Sequence, residues 1–292
     1  MGAPLPIEFV LVTNRPPLAR AAEAAGIERV LVDLERLGKA KRQNGRALFL
    51  SDHRCGDIAG LRGALRHTRV MARIDPWGAH SRSQIDRVLS AGAQGVMLPL
   101  AASVRQVEAF VAAVASRALV SILIETREGV EACAEIAAVS GVDEFHFGLN
   151  DLAISYRNRT IFDVFAGQCL DEWTARLRRR AIPFGVGGVT DPNQAGLPVS
   201  SDVLLGEQAR FGSSIFWLGR TFSHAFVTPE GMTAAIRRIR SRLHWWRAAD
   251  PHHLEHNRLS LTRQLRGGID PAFVRAPVSN RIARRRREYL LS

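Results

Sequence analysis

The chain has 292 residues, which suits one large domain or two small ones, and an apolar fraction of 46% supports a sizeable core. No stretch approaches the roughly 18–20 uninterrupted apolar residues that a membrane span needs. The N-terminal segment lacks the basic region of a signal peptide, and the three cysteines, at 55, 133 and 169, form no CxxC pair. We therefore expect a cytoplasmic protein with buried free thiols.

Half of the net charge of +12 lies at the C-terminal end, where residues 244–292 contain ten Arg and four acidic residues. Such a segment could bind nucleic acid or an anionic surface, or it could be a solvated extension or an arm that contacts a partner subunit. No nucleic-acid-binding motif accompanies the charge, so a nucleic-acid partner is not expected.

Eight short runs rich in Val, Ile, Leu and Phe alternate with amphipathic segments along the chain. The predicted strands are Phe9–Thr13, Arg29–Leu34, Val70–Ile74, Gly95–Leu100, Leu119–Thr126, Glu144–Asp151, Pro183–Val189 and Ser214–Arg220. The predicted helices include Pro17–Ala25, Ser83–Ala91, Val104–Val114, Gly129–Ala138 and Leu170–Arg180. Near-continuous apolar runs indicate parallel strands that are buried on both faces, and eight such strand–helix units favour a closed barrel. The sequence therefore predicts a (β/α)8 TIM barrel over residues 1–243, followed by an Arg-rich, partly helical C-terminal extension over residues 244–292.

Polar side chains fall at the predicted C-terminal ends of the strands, where a parallel barrel builds its active site. Glu125 and Asp151 end neighbouring strands, so their carboxylates can converge on one Mg²⁺ or Mn²⁺, ions that prefer oxygen ligands. A salt-bridge network with arginines at the same end is the alternative, and position alone does not decide between the two.

Arg73 and the two lysines of the chain bear on the chemistry at the C-terminal ends of the predicted strands. Arg73 ends strand three and could hold a substrate carboxylate in a bidentate fork, or it could pair with Asp33 or Glu35. A Schiff-base aldolase needs a lysine amine inside the barrel. The only lysines, Lys39 and Lys41, follow strand two, where we expect exposure to solvent. A covalent imine is therefore disfavoured, and a metal ion is expected to stabilise an enolate.

Five segments of the chain resemble one known family of enzymes. They are VLVDLE at 30–35, VMARIDPWGA at 70–79, AGAQGVMLPL at 91–100, ILIETREGVEACAEIAAVSGVDEFHFGLNDLAIS at 122–155 and GVGG at 185–188. The family is the HpcH/HpaI aldolase/citrate lyase family, and the resemblance runs from about Phe9 to Phe222. It implies a TIM barrel that acts on pyruvate, oxaloacetate or related acyl-CoA substrates with Mg²⁺ or another divalent ion.

The resemblance also implies roles for individual residues. The family's metal ligands correspond to Glu125 and Asp151, and its carboxylate-binding arginine corresponds to Arg73. The expected substrate-binding residues are Arg73, Gly148, Leu149 and Asn150. Family members are usually trimers or hexamers, often with the last helix packed on a neighbouring subunit, so the resemblance implies a homo-oligomer.

The chain departs from the family pattern in its proton-transfer residues. Arg36 stands where pyruvate aldolases carry a histidine, and Ser90 stands at the position of that histidine's acidic partner. His53, in the loop after strand two, is a candidate replacement base, although it could be an ordinary loop histidine. His146 lies within strand six and is more typical of a core histidine. A metal-bound water could also serve, and a decarboxylation would need no base.

The leading hypothesis is a metal-dependent (class II) aldolase or carbon–carbon lyase that acts on a 2-oxo acid. In this hypothesis Glu125 and Asp151 bind the ion, and Arg73 and His53 are catalytic. One alternative is a citrate-lyase-like acyl-CoA lyase. A second alternative is a catalytically idle barrel that serves as a subunit or scaffold.

Overall fold

The computed structural model describes residues 5–39, 51–219, 222 and 228–266. Within them the chain forms a closed barrel of eight parallel strands in sequence order, in which β8 pairs with β1. The strands are β1 Glu8–Val12, β2 Arg29–Asp33, β3 Arg69–Arg73, β4 Gly95–Leu98, β5 Leu119–Ile124, β6 Glu144–Phe147, β7 Phe184–Val189 and β8 Ile215–Leu218. The predicted (β/α)8 TIM barrel is thus confirmed.

Helices connect the strands and follow the last of them. In the described ranges they are α1 Pro16–Ala24, α2 Cys55–Ala64, α3 Ser81–Ser90, α4 Val104–Val114, α5 Arg127–Glu131, α6 Cys133–Ile136, α7 Leu149–Ser155, α8 Asp163–Ala166, α9 Gln168–Arg179, α10 Ser201–Phe211, α11 Pro229–Ala248 and α12 Pro251–Arg266. No described helix is both long and apolar enough to cross a membrane.

Continuous apolar runs form the barrel because each strand has neighbours on both of its faces. All five residues of β2 and all four residues of β6 are buried. One large apolar cluster joins strand residues such as Val70 to helix residues such as Ile85, so the main core lies between the sheet and the helices. The register of β2 and β3 pairs Asp33 with Arg73 at the last position of each strand, which brings these two side chains together at the barrel's C-terminal end.

A buried polar network lies at the opposite, N-terminal end of the barrel. Arg29 of β2 forms ion pairs with Glu8 of β1 and Glu144 of β6. The Nε2 atom of His146 lies 2.9 Å from a carboxylate oxygen of Glu144, and Nδ1 accepts a hydrogen bond of 2.8 Å from the indole N–H of Trp217. Both ring nitrogens of His146 have partners, so the structure places it as a core histidine.

The last two described helices pack against the barrel. α11 continues through residue 243, where the extension was predicted to begin, and ends at Ala248. The Asn257 amide of α12 donates hydrogen bonds to the Val203 carbonyl at 3.0 Å and to the Glu207 carboxylate at 2.9 Å, which holds α12 against α10. The rest of the predicted extension, from residue 267, lies outside the described residues.

Several element boundaries differ from the prediction. β6 ends at Phe147 rather than at residue 151, and α7 begins at Leu149. The predicted helix 129–138 is two short helices, α5 and α6. The three cysteines are free, but only Cys133 is fully buried. Arg220, the predicted end of strand eight, lies outside the described residues.

Candidate active site

Two cationic and two anionic side chains form a buried cluster at the C-terminal ends of β2 and β3. The Arg73 guanidinium donates to both carboxylate oxygens of Asp33, at 2.8 Å from Nε and 2.6 Å from Nη2. Its Nε also lies 3.6 Å from Glu35 Oε2. Burial alone would raise the pKa of Asp33, but Arg73 and Lys39 hold it well below its usual range. Arg73 therefore pairs with Asp33, as one of the two interpretations of the sequence had it.

Lys39 belongs to this cluster, and the expectation that it is exposed to solvent is wrong. Lys39 is 4% exposed, and its ammonium nitrogen lies 2.9 Å from Asp33 Oδ2 and 3.3 Å from Glu35 Oε2. Lys39 is buried because both carboxylates that it pairs with are themselves buried. Lys41 lies outside the described residues.

Glu125 follows β5 directly and is buried beside this cluster. Its Oε1 accepts a hydrogen bond of 3.1 Å from the Leu100 backbone N–H. Burial, together with the negative charges of Glu35 and Asp151, raises the pKa of Glu125 to about 8, although Arg73 lowers it. Glu125 therefore lies close enough to Glu35, Asp151 and Arg73 for the charges of these residues to shift its pKa.

Asp151 and its neighbours lie on a helix rather than at the end of a strand. Asp151 is buried in the first turn of α7, where Leu149 is also buried and Asn150 is half-buried. Gly148 precedes this helix and packs directly on Glu125, because a Cβ added to Gly148 would lie 2.5 Å from Glu125 Oε2. Glycine at position 148 therefore lets α7 begin against the carboxylate of Glu125.

His53 is buried near the cluster, but one of its nitrogens has a structural partner. Its Nδ1 accepts a hydrogen bond of 2.9 Å from the Asp33 backbone N–H. Burial lowers the pKa of His53, although Asp33 and other nearby acids oppose this. Arg36 donates to the His53 carbonyl at 2.9 Å, so Arg36 contributes to the loop structure. Ser90 is exposed at the end of α3.

The described residues contain no group of three or more His, Cys, Asp or Glu side chains placed to bind one metal ion. Glu125 and Asp151 are the pair that could hold a divalent cation, with the other positions left for water and substrate, as is common for Mg²⁺. His146 is at the opposite end of the barrel and takes no part. Sequence reasoning missed Lys39 in the cluster, and the only signal for it was its position six residues after Asp33.

Comparison with known proteins supports the fold and identifies the family. The solved structures similar to this chain include an HpcH/HpaI aldolase from Desulfitobacterium hafniense DCB-2, with 18% identity and a TM-score of 0.57 over 79% of this chain and 92% of that chain. They also include an HpcH/HpaI aldolase/citrate lyase family protein from Burkholderia cenocepacia J2315, with 16% identity and a TM-score of 0.56 over 80% and 95%. A third is the protein CitE from Mycobacterium tuberculosis in complex with magnesium and pyruvate, with 19% identity and a TM-score of 0.55 over 89% and 99%. At these identities the likeness shows the fold alone.

The family assignment rests on a separate comparison of sequence. No protein with a curated description matches this chain. A family model described as HpcH/HpaI aldolase/citrate lyase matches residues 8–163, which is just over half of the chain and includes Asp33, Arg73, Glu125 and Asp151. The chain therefore belongs to the HpcH/HpaI aldolase/citrate lyase family.

Proposed function

We propose that the protein is a carbon–carbon lyase of the metal-dependent aldolase type, which acts on a 2-oxo acid with Mg²⁺ or Mn²⁺ held by Glu125 and Asp151. The observation that carries the proposal is the buried Glu125 carboxylate, which lies within reach of the charges of Asp151 and Arg73 at one end of the barrel. Lyases of this family supply the reaction class, and the CitE structure with magnesium and pyruvate supports the choice of ion and substrate class.

The charge of the buried cluster fits a divalent cation. With the adjoining Glu125 and Asp151 included, this end of the barrel has four carboxylates and two cationic side chains, namely Asp33, Glu35, Glu125, Asp151, Lys39 and Arg73. The formal charge of these six side chains is two negative when every group is ionised, which one divalent cation would balance. A bound Mg²⁺ or Mn²⁺ would supply Lewis-acid stabilisation of negative charge on the oxo-acid oxygens.

Arg73 is suited to bind and polarise the anionic substrate. Asp33 fixes the guanidinium by accepting from Nε and Nη2, and the described residues provide no partner for Nη1. A guanidinium held in this way can donate to a substrate carboxylate and offset charge that develops on an enolate. The backbone of Gly148 and Leu149, with Asn150 beside it, adjoins Glu125 and forms the proposed remainder of the substrate site. His53 stays in the proposal as a candidate proton-transfer residue. Because its Nδ1 accepts a hydrogen bond, the neutral ring carries its proton on Nε2, which would donate it.

The test is a calorimetric titration of oxalate, an analogue of the pyruvate enolate, into metal-stripped protein with and without Mn²⁺. We expect binding that requires Mn²⁺ and that is lost in Glu125→Gln, because that change removes one of two proposed ligands. Glu128→Gln is the matched control, since Glu128 is an exposed glutamate three residues further along the chain. Absence of oxalate binding in every condition would contradict the proposal and would favour a catalytically idle barrel.

A further inference from the structure

The Lys39 ammonium occupies a position at the barrel's C-terminal end that the proposed function does not yet use. Lys39 and Arg73 share one carboxylate oxygen, Oδ2 of Asp33, at 2.9 Å and 2.6 Å. Both also lie near Glu35 Oε2, at 3.3 Å from Lys39 Nζ and 3.6 Å from Arg73 Nε. The lysine amine is therefore one carboxylate away from the guanidinium that we assign to the substrate.

Lys39 has capacity for one more contact. An ammonium group has three N–H donors. One is donated to Asp33 Oδ2, and Glu35 Oε2 lies 3.3 Å away as an ion-pair partner. Among the residues that the structure describes, no third acceptor contacts this nitrogen. Arginine at position 39 would keep the positive charge but would not release a proton. The substitution therefore separates a proton-transfer role from a role in balancing charge.

We propose that Lys39 and Glu35 form the proton-transfer pair of the lyase reaction, an inference that rests on the proposed function. Both residues lie in the segment that follows β2, Glu35 two residues and Lys39 six residues after Asp33. His53 is less suited to the task because its Nδ1 is occupied by the Asp33 backbone N–H. The pair supplies an acid and a base within 3.3 Å of each other, beside the guanidinium that we assign to the substrate.

The proposed steps balance in protons and electrons. In the cleavage direction the Glu35 carboxylate accepts the proton of the substrate hydroxyl while the neighbouring carbon–carbon bond breaks. The electron pair of that bond enters the oxo-acid fragment as an enolate, beside Arg73, and the hydroxyl carbon leaves as an aldehyde. The Lys39 ammonium then donates a proton to the enolate carbon, and the proton on Glu35 passes to the Lys39 amine, which restores both groups.

A half-reaction tests the pair without knowledge of the aldehyde. In D₂O with the diamagnetic ion Mg²⁺, the same proton transfer exchanges the methyl protons of pyruvate for deuterium, which ¹H NMR measures directly. Lys39→Arg keeps the positive charge, but arginine does not release a proton in proteins. We expect this variant to bind oxalate with the wild-type affinity and to lose about 10²–10⁴-fold in the exchange rate. Glu35→Gln should lose exchange by a similar factor, and Lys41→Arg, the change at the only other lysine, should leave the rate unchanged.

The remaining outcomes each have one meaning. Exchange at the wild-type rate in Lys39→Arg would overturn the inference, and loss of exchange in His53→Gln alone would give the role to His53. Loss of oxalate binding in Lys39→Arg would also overturn it, because Lys39 would then build the binding site rather than transfer protons. Wild-type protein that neither binds oxalate nor exchanges pyruvate would instead defeat the proposed function itself.

Discussion

At the scale of single residues, two buried glutamates at opposite ends of the barrel have different charge environments. Glu144 faces the Arg29 guanidinium, whereas Glu125 lies near the carboxylates of Glu35 and Asp151. Burial would raise both pKa values, yet that of Glu144 is lowered to about 2 while that of Glu125 is raised to about 8. At Glu144 the His146 hydrogen bond and the Arg29 charge outweigh burial, whereas at Glu125 burial and the neighbouring carboxylates act in the same direction.

Glu144 makes the stability of the fold sensitive to acid. Burial raises its pKa, but the His146 hydrogen bond and Arg29 lower it from 4.5 to about 2. A group with a lowered pKa in the folded state stabilises the fold above its unfolded pKa and loses this contribution as the pH falls through its folded pKa. We therefore expect wild type to lose on the order of 3 kcal/mol more than Glu144→Gln as the pH falls from 4.5 to about 2.

Urea unfolding at a series of pH values gives the free energy of unfolding as a function of pH. The slope of that pH dependence, rather than the stability at any one pH, is compared between wild type and Glu144→Gln. Glu135→Gln is the control, because Glu135 is exposed on α6 and its removal should leave the slope as in wild type. If the free energy of unfolding changes with pH equally in wild type and Glu144→Gln, the polar network at the N-terminal end of the barrel does not depend on the ionised Glu144 carboxylate.

Lys39 shows why burial of a charged side chain could not be predicted from its local sequence. A lysine that follows a strand in a segment with Lys41 and Arg42 has the pattern of an exposed loop. Its burial depends on Asp33 and Glu35, which are placed by the closure of the barrel around them. The local pattern contains no information on that closure.

At the scale of elements, apolar runs predicted all eight strands, and the ends of those runs were the least reliable part. The run EFHFGL continues from β6 across Gly148 into the first residue of α7, so hydrophobicity alone does not mark where the strand stops. The predicted roles of Glu125 and Asp151 came from their positions near strand ends and from the family pattern. Their placement at one end of the barrel agrees, although Asp151 reaches it from a helix.

Gly148→Ala tests whether the start of α7 positions Glu125. The added Cβ would lie 2.5 Å from Glu125 Oε2 and 2.9 Å from Glu125 Cβ, so the glutamate or the helix must move. We expect the Mn²⁺-dependent affinity for oxalate to fall roughly 10–100-fold, as supporting changes beside metal ligands commonly do. Calorimetry measures the affinity and thermal unfolding verifies the fold. Gly60→Ala is the control, because a Cβ there meets nothing within 4 Å, and unchanged affinity in Gly148→Ala would contradict the assignment of Glu125.

At the scale of the whole molecule, arginines of α11 join the C-terminal helices to the start of the chain. Arg240 donates to the Ile7 carbonyl at 2.9 Å and to the Glu28 carboxylate at 2.7 Å. Arg247 donates to the carbonyls of Leu5 and Ser213, at 2.8 Å and 2.7 Å. These arginines stabilise contacts within the chain, which accounts for part of its basic charge without a separate anionic molecule as binding partner. The division into residues 1–243 and 244–292 stays a prediction, although α11 spans the boundary.

The docking of α12 gives a prediction about the integrity of the molecule. A Cβ at Gly206 would lie 2.6 Å from the Asn257 amide, which is buried and hydrogen-bonded to α10. Gly206→Ala should displace that amide and lower the free energy of unfolding by about 1–3 kcal/mol, despite the higher helix propensity of alanine. Chemical unfolding measures the loss, and proteolysis should be faster between α11 and α12. Gly63→Ala, where nothing lies within 4 Å, is the control, and equal stability of Gly206→Ala and wild type would show that Asn257 is dispensable.

The closure of the barrel between β1 and β8 has a consequence for how the chain folds during its synthesis. Phe9 of β1 pairs in register with Phe216 of β8, and the Leu5 carbonyl accepts a hydrogen bond from the guanidinium of Arg247. Both contacts can form only after the C-terminal partner has been synthesised. A ribosome that adds about 5–20 residues per second needs roughly 10–40 seconds to make the intervening stretch of roughly 200 residues. For that time one edge of β1 has no strand beside it, so the nascent N-terminal half depends on its own helices or on chaperones to keep that edge from pairing with other chains.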